Sequence, residues 1–132
     1  MMKALEIVRE LFVAIENSDL ARLDELYAAH AVQVEHPNRL LPGGATRNKS
    51  EILQAAARGR ALMAEQKLAI EQAVVQESHV AVEARWSGRL SVDAPPLGLK
   101  AGSLMTARFA QFIELDGGRV VRHVTYDCFD AW

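Results

Sequence analysis

The 132-residue chain holds a single cysteine, Cys128, so it can form no intramolecular disulfide and no metal cluster of the cysteine type. That usage suits a reducing compartment, and the cytoplasm is the expected location. The chain also lacks a long apolar run. Charges interrupt the N-terminal MMKALEIVRELFVAIEN, which has neither the continuous apolar core of a signal peptide nor the roughly 20-residue run of a membrane span. Nor does one sign of charge dominate: 15 basic and 17 acidic side chains leave a formal net charge of −2, without a basic field for nucleic acid or a polybasic membrane patch. Internal repeats, low-complexity tracts, a glycine-rich phosphate loop, a Ser-His-Asp order and a short-spaced metal motif such as HExxH are all missing. No cofactor or resident metal is expected, and neither nucleic acid nor membrane is expected as a partner.

Length points to one domain over residues 1–132, large enough to bury roughly 65–70% of its unfolded surface without covalent staples. Apolar residues at Leu5, Val8, Leu11, Phe12 and Ile15 recur at helical spacing, and Asn17-Ser18-Asp19 both ends that helix and caps a second. The second helix turns Leu20, Leu23, Leu26 and Tyr27 inward. A short strand, Ala31 to His36, stops at Pro37 because proline cannot donate to a sheet ladder. Asn48 with Glu51 three residues on has the spacing of a capping box and opens a third helix through Ile52, Leu53, Ala56, Leu62 and Met63. The period then turns to two, which predicts strands at Lys67 to Gln76, His79 to Leu90, Ser103 to Leu115 and Arg119 to Phe129. Helices first and antiparallel strands second define an α+β domain, its helices packed on one face of a curved sheet.

The last of these strands carries ionisable groups where apolar ones would be expected. In RVVRHVTYDCF, alternation puts His123, Thr125 and Asp127 on one face and Val124, Tyr126 and Cys128 on the other. An imidazole and a carboxylate inside a closed core would each cost several kcal/mol, roughly, unless paired and hydrogen-bonded. That face therefore meets solvent or a cavity.

The element order, together with DLARLDELYAAHAVQVEHP, NKSEIL and ELDGGRVVRHVTYD, resembles the SnoaL-like branch of the nuclear transport factor 2-like superfamily, related to ketosteroid isomerases and polyketide cyclases. The resemblance implies a mainly antiparallel sheet wrapped into a cone, three helices packed against it from the first half of the chain, and an enclosed cavity where chemistry takes place. Matching the final strand to the family puts His123, Thr125 and Asp127 on the cavity side. The same matching puts Val80, Val82, Ala84 and Trp86 inside and Glu83 and Arg85 outside. A mostly apolar cone with one polar wall suits a small, apolar, oxygenated ring compound.

Polyketide cyclases of this branch carry an Asp in the last strand as acid or base with a His upstream, and His123 and Asp127 are similar to that pair. Their Cα atoms should lie about 13 Å apart at ~3.3 Å per residue, so they would grip two parts of one ligand rather than each other. The competing reading has Asp127 capping a sheet edge or pairing with an arginine such as Arg108. His36, before Pro37, resembles the general-base position of the ketosteroid isomerases, and an imidazole is poised to move a proton near neutral pH. Its competing reading is a loop histidine bonded to backbone. The isomerases' oxyanion donors match Leu11 and Phe109 or Ala110 here, so ketosteroid isomerisation itself is not expected, and Tyr27, Thr125 or Trp86 would have to supply the donor. Glu83 and Arg85 resemble only superficially the acid and arginine groups of the superfamily's epoxide hydrolases. His30, at an expected helix end, and His79, beside a turn, carry no chemistry.

The expected function is small-molecule binding, with cofactor-free proton transfer next to a carbonyl as an isomerase or cyclase. His36, His123 and Asp127 are its catalytic candidates, and Tyr27, Val82, Ala84, Trp86 and Thr125 its substrate contacts. The alternative is a non-catalytic ligand-binding or assembly module. A homodimer through the outer sheet face is expected in either case.

Overall fold

The computed structural model describes residues 2–132. Two helices, α1 (Ala4–Glu16) and α2 (Leu20–Leu26), precede β1 (Tyr27–Glu35) and β2 (Ala45–Asn48). Helix α3 (Lys49–Leu62) follows, and then four long strands: β3 (Met63–Gln76), β4 (His79–Leu90), β5 (Leu104–Asp116) and β6 (Arg119–Phe129). The strands form one curved, unclosed sheet in the order β2-β1-β6-β5-β4-β3. Every neighbouring pair is antiparallel except β1 and β6, which run parallel. The α+β architecture with a cone-shaped sheet and three helices is thus the one expected.

Local chemistry accounts for the element ends. Asp19 accepts a hydrogen bond from the Arg22 backbone N–H at the start of α2. At α3, Asn48 accepts from Glu51 N at 2.9 Å while the Glu51 carboxylate accepts from Asn48 N at 3.0 Å, the reciprocal pairing of a capping box. The inner face of α1 buries Ile7, Val8, Leu11 and Phe12, and the helix lies over β3 and β4. Each such side chain contributes about 1.5–3 kcal/mol from burial.

The structure corrects several expected boundaries. Helix α2 stops at Leu26, and Tyr27 already has extended backbone at φ −86°, ψ 133°, so its aromatic side chain enters the core from a strand. Strand β1 starts four residues earlier than Ala31. The short edge strand β2 lies where the sequence pattern predicts no element, and β3 follows α3 without a loop. His30 falls within β1 and is exposed.

One irregularity aims the last strand. Leu115 pairs with Val120 but Glu114 pairs with Arg122, leaving Val121 as the extra residue of a β-bulge. Val120 faces the core, and strict alternation would send Arg122 there next. The bulge shifts the parity by one, so His123, at 2% exposure, turns inward and Arg122 turns out.

Candidate functional site

Beneath the helices the cone holds a cavity of about 420 Å³. Its apolar walls include Leu23 from α2, Ile52 and Leu62 from α3, and Trp86, Phe109 and Phe129 from the sheet. Trp86 stacks on Phe109 at 5.7 Å and meets Phe129 edge-on at 5.8 Å. Gly88 lets the indole lie flat on the strand, since a Cβ there would come within 2.5 Å of the Trp86 ring. The indole N–H donates to Gln66 Oε1 at 3.0 Å.

The opposite wall is polar. His123 Nδ1 lies 2.7 Å from the Tyr27 hydroxyl and its Nε2 lies 2.7 Å from Gln111 Oε1. Gln111 Nε2 donates to Thr125 Oγ1 at 3.0 Å, and Thr125 Oγ1 donates to Asp127 Oδ1 at 2.5 Å. An amide oxygen and a carboxylate only accept, so each hydrogen along this chain has one direction. Tyr27 donates to His123, His123 to Gln111, Gln111 to Thr125 and Thr125 to Asp127. Five side chains from β1, β5 and β6 thus form a directed series that ends on one carboxylate.

Burial sets the proton affinities along it. His123 is lowered from 6.5 to about 4 because its charged form would be stripped of water, so it is neutral at physiological pH. Burial likewise pushes the Tyr27 phenol well above its ordinary value, and the neighbouring Gln33 amide only partly offsets this. Asp127 is raised from 3.8 to about 6, chiefly by burial and further by the Glu35 charge, against the Thr125 hydrogen bond and the Arg47 charge. Glu35 and Gln33 each accept from Arg47 Nη1 at 2.9 Å. Asn38 holds the other Glu35 oxygen at 2.8 Å.

Asp127, Thr125, His123, Tyr27 and Trp86 all line this cavity. His123 and Asp127 are not two separate groups on the wall, because Gln111 and Thr125 link them and both imidazole nitrogens are engaged. Asp127 is bonded to Thr125, while Arg108 pairs with Glu71 at 2.9 Å. His36 lies on the other side of the sheet, stacked on Tyr126 with ring centres 4.1 Å apart. Gln33 and Glu35 of β1 face the cavity, so alternation sends His36 out. Val82 and Ala84 are buried in the hydrophobic core and do not line the cavity, because α1 covers that part of β3 and β4. Glu83 and Arg85 are exposed on the outer face as expected. Gln33, Glu35, Arg47 and Gln111 are site residues that sequence reasoning missed. Gln111 had a signal, as the one amide at an inward position of a strand whose other inward residues are Met105, Ala107, Phe109, Ile113 and Leu115.

This arrangement defines an α+β cone with a polar wall at one end of an apolar cavity. The sequence matches the model of the SnoaL-like domain over residues 8–123, and the chain belongs to that family. Among solved structures it is similar to IdmH of Streptomyces antibioticus, a candidate polyketide cyclase, with a TM-score of 0.81 and 21% identity over 96% of this chain and 92% of that one. It is also similar to a candidate SnoaL-like polyketide cyclase of Jannaschia sp. CCS1, with a TM-score of 0.75 and 15% identity over 94% and 84% of the two chains. A protein with a ketosteroid isomerase-like fold from Catenulispora acidiphila DSM 44928, solved with trimethylamine, gives 0.73 and 22% over 92% and 84%. These likenesses establish the fold. No curated protein is similar enough in sequence to match. Among the described residues no helix is long and apolar enough to cross a membrane.

Proposed function

We propose that the chain, acting as one domain over residues 1–132, binds a small, largely apolar oxygenated molecule in the cone and moves a proton next to its carbonyl group. Asp127 is the acid and base of this reading. The observation that carries it is a carboxylate on the cavity wall whose proton affinity lies at about 6. Such a group is mostly ionised at pH 7 yet can be protonated at little cost, as reversible proton abstraction requires. Removing a proton from carbon gives an enolate, and returning it elsewhere, or letting the enolate attack a second carbonyl, gives isomerisation or aldol-type ring closure.

His123 is a positioning residue here rather than a base, because both of its ring nitrogens are used within the wall. Through Gln111 it fixes Thr125, whose hydroxyl holds one Asp127 oxygen and leaves the other for the ligand. His36 has no part, since it lies on the outer face. Trp86 and Phe109 supply a flat apolar surface for a ring. Relatives of the same fold described as candidate polyketide cyclases lend support. Cytoplasmic location and a homodimer through the outer face belong to the same reading.

Asp127→Asn tests it with a panel of enolisable cyclic ketones, read by exchange of the α-hydrogen for deuterium. A catalyst loses about 10²-fold or more in exchange rate while ligand binding persists. Wild-type protein that binds these ketones but exchanges no faster than Asp127→Asn would leave the non-catalytic binding module as the function.

A further inference from the structure

Three neutral donors on the cavity wall are already committed. Tyr27 gives its hydrogen to His123, Thr125 to Asp127 and the Trp86 indole to Gln66. A ligand oxygen entering the cone therefore turns to the remaining donors on its lining, among them Ser18, Gln33, Arg47 and Arg58. Arg47 lines the same cavity from β2, with its side chain only 15% exposed. All of its hydrogen bonds to protein among the described residues leave from one nitrogen, Nη1, which donates to Gln33 Oε1 and Glu35 Oε1 at 2.9 Å each. Nε and Nη2 have no protein partner. Among the described residues no buried polar side-chain atom lacks a partner, so these two nitrogens are open to the space around them.

Their geometry is selective. The hydrogens of Nε and Nη2 lie parallel along one edge of the planar guanidinium, the fork that matches the two oxygens of a carboxylate. Gln33 and Glu35 anchor the opposite end, so the fork is held in orientation before a ligand arrives. The charges around the cavity agree. Arg47 and Arg58 line it together with the acids Glu35, which is paired with Arg47, and Asp127, with His123 neutral. The wall is balanced when Asp127 is ionised and carries one net positive charge when Asp127 is protonated. An anion bound beside Asp127 favours the protonated acid, the form able to give a proton to an enolate.

We propose that Arg47 is a ligand-binding residue whose free Nε and Nη2 edge grips a carboxylate carried by the apolar molecule in the cone. The ligand class is thus narrowed from an oxygenated ring compound to a ring acid. The proposal rests on the cavity being a ligand site, as in the functional reading, but not on proton transfer.

The test compares 2-naphthoate with its neutral isostere 2-naphthamide by titration calorimetry against wild type, Arg47→Gln and Arg47→Lys, each checked for folding by circular dichroism. Wild type should bind the acid about tenfold or more tighter than the amide, the ordinary effect of a charge-assisted paired hydrogen bond. Arg47→Gln should abolish the preference, and Arg47→Lys should restore only part of it by keeping the charge without the fork. Equal wild-type affinities for acid and amide would overturn the proposal without any variant being needed. So would failure of naphthoate to bind at millimolar concentration, or an unchanged preference in a folded Arg47→Gln protein. Full preference in Arg47→Lys would overturn the fork. An inert protein that still prefers naphthoate overturns proton transfer by Asp127 and leaves this site standing.

Discussion

His123 Nε2 lies 2.7 Å from Gln111 Oε1, and this contact decides which imidazole tautomer the site contains. The amide oxygen cannot donate, so Nε2 carries the hydrogen and Nδ1 is left to accept from the Tyr27 hydroxyl, also at 2.7 Å. The ¹⁵N spectrum of the His123 ring should therefore show the neutral Nε2–H form at pH 7 and titrate only near pH 4. Gln111→Leu removes the partner of both His123 Nε2 and Thr125. Leaving buried polar groups unpaired costs about 1–3 kcal/mol each, so this variant should lower the urea midpoint clearly. An imidazolium signal from His123 at pH 7 in the wild type would sink the directed chain of hydrogen bonds.

How much of this was legible depended on how far the determining interactions lie along the chain. The boundaries of β4 and β6 coincide with the stretches of alternation, because a half-buried strand writes its two faces into consecutive residues. The start of α3 was legible because Asn48 and Glu51 cap it between themselves. Strand β2 is four residues of half-buried edge held by pairing with β1, a relationship with no local trace. Tyr27 reads as helical because Leu23 and Leu26 precede it at helical spacing, yet its pairing with Val120 draws it into the sheet. For the site, the polar face of β6 announced itself, whereas the Val121 bulge that aims it did not. His36 misled because Pro37 gave it a familiar setting while the parity of β1, continued one residue past its end, sent it outward. Arg47 had no signal, since an arginine on a short edge strand looks like any solvated charge until its partners Gln33 and Glu35 are placed beside it.

The outer face of the sheet should join two copies of the chain. Val34, Val124, Phe112, Ala81 and Val74 are register partners across five strands and form one apolar rung, with Phe112 51% and Val74 65% exposed. Beside it Glu83, Arg85 and Arg108 supply both signs of charge, which a two-fold axis can set against each other. Sedimentation at micromolar concentration should give a dimer, and Phe112→Glu should give a folded monomer by placing a charge in the rung. A wild-type monomer under those conditions defeats the expectation.

Asp127 and His123 make opposite contributions to stability as pH changes, and the difference between wild type and Asp127→Asn should expose them. Asp127 has its proton affinity raised on folding, from 3.8 to about 6, so its favourable contribution is complete below pH 3.8 and is lost as pH rises through 6. His123 is lowered, from 6.5 to about 4. Its contribution is complete above pH 6.5 and is lost as pH falls through 4. Between about pH 4 and 6 each would tilt the stability curve by ~1.4 kcal/mol per pH unit in opposite senses, so in the wild type the two largely cancel. Asp127→Asn removes one of them. Urea midpoints of variant and wild type should agree near pH 4, and the variant should gain steadily up to pH 7, by at most about 3 kcal/mol. Such a gain is what a carboxylate held in a costly state for chemistry would show. Two parallel profiles would mean that Asp127 ionises in the folded protein as it does in the unfolded chain, and the acid–base reading of the site would lose its basis.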